Sequence, residues 1–135
     1  MRVTLLALLC LAWFAVPAVA ACRVATRAVE FGEVDLARDS HGTGRLTVTC
    51  DASTGFRVGI EGGDGSLFMD GPGQARLTYR LYSDPGHRVP FDEEGVAAAT
   101  DGEQPAQVTV YGRVPRQSAL PEGVYAGRLV VTLAF

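Results

Sequence analysis

The sequence contains no lysine and no asparagine, and its one tryptophan, Trp13, falls in the first apolar run. Without asparagine there is no N-x-S/T acceptor for an N-linked glycan. The missing lysine leaves arginine to carry the positive charge, which reads as a codon bias rather than a functional signal. Twelve arginines stand against fifteen Asp plus Glu, for a net charge of −3, so the chain lacks the basic excess of a nucleic-acid-binding domain. Sustained three-to-four apolar spacing is also missing after the first twenty residues, which excludes an amphipathic-helix architecture.

Recognisable catalytic and metal motifs are absent too. His41 and His87 sit in polar stretches flanked by Gly or Pro, outside any H-x-x-H, C-x-x-C or H-E-x-x-H pattern, and are expected to be solvated loop residues. Ser66 fails the G-x-S-x-G elbow, because Phe68 stands where the second glycine belongs. The acids Asp64, Asp70, Asp84, Asp92, Glu93 and Glu94 supply hard oxygen ligands without the spacing of a calcium loop. Gly62-Gly63-Asp64-Gly65 and Gly71-Pro72-Gly73 lack the Gly-Lys-Ser/Thr ending of a phosphate loop. No enzyme activity, cofactor, metal or small-molecule substrate is therefore expected.

What is present begins with an export signal. Met1-Arg2, an apolar run from Val3 to Val16, Pro17 and Ala18-Val19-Ala20 follow the order of a cleaved secretory leader. The run is short for a bilayer span, which needs roughly 20 residues. The expected division is residues 1–20 as signal and 21–135 as one secreted domain. Arg2 leaves with the leader, so eleven arginines then face fifteen acids, a balance of −4.

Removing the leader takes Cys10 and leaves Cys22 and Cys50, an even pair in an oxidising compartment, where a bridge is expected. Val19-Ala20-Ala21-Cys22 also approximates the small-residue box that precedes a lipid-modified cysteine. Lipidation would consume the Cys22 sulfur and strand Cys50. An intact mass separates the two readings.

The mature region alternates apolar and polar residues with period two. Leu46, Val48 and Cys50 share one face of Arg45–Cys50, and Leu77, Tyr79 and Leu81 share one face of Ala75–Tyr82. Phe56–Ile60 and Val108–Gly112 repeat the pattern, and a further strand is expected within Arg23–Phe31. Gly62–Gly73 and Asp84–Pro105, rich in Gly, Pro and acids, are expected to be loops, the latter with at most short strands. Tyr79 should enter the core, whereas Tyr82, on the opposite face, should be exposed. From Tyr125 to Phe135 a last strand aligns Tyr125, Gly127, Leu129, Val131, Leu133 and Phe135. Six or seven strands with no helix between them indicate an all-β sandwich. Gly123-Val124-Tyr125 has the look of the tyrosine corner of immunoglobulin-type sandwiches.

Cys22, Phe31-Gly32, Val48-Thr49-Cys50, Leu77-Thr78-Tyr79-Arg80-Leu81-Tyr82, Val110-Tyr111-Gly112-Arg113-Val114-Pro115 and Gly123-Val124-Tyr125 running into Phe135 occur in the order of the spore coat protein U domain. The chain resembles that family, which includes subunits of archaic chaperone-usher pili. The resemblance implies an immunoglobulin-like, pilin-type β-sandwich lacking its final strand, with an acceptor groove along Tyr125, Leu129, Val131, Leu133 and Phe135. It implies as partners a periplasmic chaperone, an outer-membrane usher and neighbouring pilus subunits. The expected route runs through the periplasm to the cell surface, in adhesion or biofilm formation, with no nucleic acid involved.

The sequence departs from the family pattern in two places. Only Ala21 precedes Cys22 after cleavage, where polymerising relatives carry an alternating apolar donor segment, so a terminal position in the fibre is expected. Ala126 follows Tyr125 where many relatives have an acid. The alternative function is a tip adhesin that recognises a surface or glycan through the Gly62–Gly73 and Asp84–Pro105 segments.

Overall fold

A computed structural model describes residues 21–135; the predicted leader lies outside them. Eight strands follow in order: β1 (Cys22–Glu30), β2 (Ser40–Cys50), β3 (Gly55–Ile60), β4 (Leu67–Asp70), β5 (Arg76–Tyr82), β6 (Val96–Ala99), β7 (Ala106–Val114) and β8 (Val131–Ala134). All pairings are antiparallel, and they build two sheets, β1-β2-β7-β5-β4 and β6-β3-β8. The fold is an all-β, immunoglobulin-like sandwich, incomplete along one side.

Alternation decides which residues fill it. Leu46, Val48 and Cys50 from β2, Leu77, Tyr79 and Leu81 from β5, and Val108, Val110 and Val114 from β7 point inward and are buried. Phe56, Val58 and Ile60 of β3 meet them from the other sheet. Burying a side chain of this size stabilises a fold by about 1.5 to 3 kcal/mol. Phe91, fully buried, joins this core where its N–H donates to the Leu81 carbonyl at 3.0 Å.

Cys22 faces Cys50 across the β1–β2 ladder, and the two form a disulfide. The bridge anchors the start of an edge strand whose other hydrogen-bonding edge is unpaired among the described residues. Between Arg27 and Glu30 the register slips by a bulge, which turns Val29 and Phe31 onto the core. Gly44 and Gly112 make room for them. A Cβ on Gly44 would lie 2.7 Å from Val29, and one on Gly112 would lie 2.6 Å from the Phe31 ring.

Several expectations are corrected. Gly62–Gly73 is not simply a loop, because Leu67–Asp70 forms β4 against β5. Tyr82 is buried rather than exposed. The Asp84 carboxylate accepts from the Arg88 and Val89 N–H groups and folds the segment back, so that Pro90 bridges to Tyr82 and the His87 ring packs edge-on against it. His41 lies on β2 rather than in a loop, and its ring stands 4.5 Å from that of His87.

Candidate functional site: an open groove between first and last strands

The last strand divides in two. Ala126 exchanges both backbone hydrogen bonds with Asp70 at the β4 edge, Val130 accepts from the Glu61 N–H at 3.0 Å, and only Val131–Ala134 pairs with β3. The segment thus crosses from one sheet to the other. Its regular strand is shorter than the expected Tyr125–Phe135, because its two halves have different partners.

Tyr125 fixes the crossing. Its hydroxyl donates to the Pro121 carbonyl, four residues upstream, at 2.6 Å, the arrangement of a tyrosine corner. The ring packs against Gly71, where any Cβ would strike it. Gln117 secures the preceding segment, donating to the Thr78 carbonyl and accepting from the Thr78 N–H at 3.0 and 3.1 Å.

Between this segment and β1 the sandwich stays open. A cavity of about 410 Å³ runs along the gap, with Thr26 and Val29 on the β1 bank and Tyr125, Gly127, Leu129 and Val131 on the other. Its floor is Leu46, Val58, Ile60, Met69, Tyr79 and Val110, the inward faces of both sheets. Burial raises the Tyr79 hydroxyl above the usual phenol pKa, as an apolar floor does. At Val29, Phe31, Met69 and Tyr125 the cavity meets a second one of about 1070 Å³, between residues 29–37 and 117–125.

The banks lack what a complete sandwich gives them. Among the described residues β1 pairs only with β2 and β8 only with β3. Val24, on the same face of β1 as Cys22 and Thr26, is 45% exposed, and Val131 is 37% exposed. Unpaired N–H and C=O groups beside an apolar slot are the features that invite an added strand.

Of the five residues expected along the groove, Tyr125, Leu129 and Val131 line the cavity. Leu133 packs partly buried on the core. Phe135 lies beyond the cavity, its ring 5.9 Å from that of Phe56. The β1 bank and the floor residues were not anticipated, since they come from strands distant in sequence. Among the described residues no three His, Cys, Asp or Glu side chains stand close enough to hold a metal.

The fold and its open side define an immunoglobulin-like sandwich with an unfilled strand position. The Spore Coat Protein U domain matches residues 9–132, and the chain belongs to that family. A search of curated proteins gave no match. Among solved structures the chain is similar to a chain of the CsuC-CsuE chaperone-tip adhesion subunit pre-assembly complex from archaic chaperone-usher Csu pili of Acinetobacter baumannii, at 16% identity and a TM-score of 0.55. The alignment covers 87% of this chain and 40% of that one, so the present chain spans less than half of its neighbour.

Proposed function

We propose that this chain is a structural subunit of a surface fibre of the chaperone-usher type, and that the groove between β1 and β8 accepts a strand from a chaperone or a neighbouring subunit. The observation that carries the reading is the continuous apolar floor between two unpaired strand edges. An extended donor would add backbone hydrogen bonds along a bank while its alternate side chains fill the slot. Family membership supports the same reading, and catalysis has no part in it.

The proposal includes cleavage after Ala20, a single mature domain of residues 21–135, passage through the periplasm and display at the cell surface in adhesion or biofilm formation. A terminal place in the fibre belongs to the same proposal. Co-expression with a periplasmic chaperone of this class tests the reading. A soluble one-to-one complex is expected, with aggregation of the chain expressed alone. A monodisperse, stable monomer that ignores the chaperone would count decisively against it.

A further inference from the structure

The outer face of the five-stranded sheet carries a charge pattern that strand acceptance does not use. Directly opposed residues in an antiparallel ladder share a face. Arg27 of β1 opposes Arg45 of β2, and Arg80 of β5 opposes Arg113 of β7. Arg113 is flanked on its other side by His41. Like charges set directly across a ladder are destabilising, yet the face has two such pairs. Asp39 accepts from one arm of Arg113 and from the Arg116 N–H, while Arg113 Nε, shielded from solvent, has no hydrogen-bond partner in the protein. Asp70 pairs with Arg76 at 3.5 Å, leaving Arg27, Arg45 and Arg80 in none of the ion pairs found among the described residues.

The placement of the pairs is regular. Arg45 opposes Thr109, four residues along β7 from Arg113, so the two pairs stand about 13 Å apart along the strand direction. Thr47, Thr49 and Thr109 share the face beside the first pair, and Thr43 and Tyr111 stand between the two pairs, with the His87 ring packed against Tyr111. Beside the second pair a cavity of about 310 Å³ gathers Ser66, Thr78, Arg80 and Arg113. Arginine forks flanked by threonine and tyrosine hydroxyls match a chain of sugars bearing spaced oxyanions. The aromatic rings on this face, Tyr82, Tyr111 and His87, pack edge-on against one another and the Phe68 ring lies under the Arg76 guanidinium, so no row of free rings is offered to stacked bases.

We propose that this face binds an extended acidic polysaccharide, each arginine pair taking one sulfate or carboxylate group of the polymer. The inference is independent of the strand-acceptor reading, because it uses the sheet surface opposite the groove.

The test is salt-gradient elution of the full chain from an immobilised sulfated polysaccharide, beside the Arg45→Gln/Arg80→Gln variant and the charge-retaining Arg80→Lys. Both mutated side chains belong to exposed residues, so thermal midpoints should stay close to wild type. Wild type should be retained near physiological salt. The double variant should lose roughly tenfold in affinity per arginine, with a shallower salt dependence, and Arg80→Lys should fall between. Failure of wild type to bind, equal retention of all three proteins, or equally tight binding to duplex DNA would each overturn the proposal.

Discussion

Replacing Cys22 and Cys50 together by alanine tests how far one covalent link holds the groove's weaker bank. The bridge closes a separation of 28 residues, for which loss of unfolded-chain entropy amounts to roughly 3 to 4 kcal/mol. Alanine avoids placing a hydroxyl at Cys50, which is 3% exposed. For a domain of this size each kcal/mol moves the midpoint by about 4 °C, so thermal unfolding followed by circular dichroism should show a drop of about 12 to 16 °C. The loss should also be local. Among the described residues β1 has one neighbour in the sheet, so its amides should gain hydrogen exchange before those of β2 and β7. A midpoint within about 3 °C of wild type, or uniform exchange across the sheet, would refute the reasoning.

Three further predictions follow from particular contacts. Tyr125→Phe keeps the ring and removes the bond to Pro121, and should cost about 0.5 to 1.5 kcal/mol in a urea titration, while Gly71→Ala should cost more because its methyl strikes the Tyr125 ring. Equal effects of the two would refute the close approach. Hydrogen bonds from the Val89 and Arg88 N–H groups hold the Asp84 carboxyl below the usual carboxylate range. A depressed folded pKa adds stability above the unfolded value of about 3.9 and loses it as pH falls through the folded one. Amide protection in residues 84–90, the slowing of exchange relative to an unstructured chain at the same pH, should therefore fall only in that acid window in wild type, and should already be low at neutral pH in Asp84→Ala; a pH-independent protection in wild type would contradict the anchoring role.

Much of the sandwich was legible because its inner strands alternate cleanly. β2, β3, β5 and β7 bury the residues that periodicity selects: Leu46, Val48, Leu77, Tyr79, Leu81, Val108 and Val110. β4 and β6 have four residues each, inside stretches rich in Gly and acids, and owe their form to pairing with β5 and β3 rather than to local pattern. Tyr82 defeated the alternation rule because a folded-back segment, anchored by Asp84, covers a face that would otherwise be exposed. The His41–His87 contact is invisible in sequence, being made across 46 residues by a turn in which His87 adopts φ 54°. One bank of the groove could be read from the run through Tyr125, Leu129 and Val131. The opposite bank could not, since it depends on where β1 lies in the sheet.

The most direct measurement is the thermal midpoint of the full chain carrying, after a flexible linker at its carboxyl end, a strand of alternating apolar residues, against the same fusion with those residues changed to serine. If the slot takes a donor strand, the apolar fusion should melt at least about 10 °C higher, since burying three or four such side chains contributes several kcal/mol. Identical midpoints for the two fusions would contradict the account.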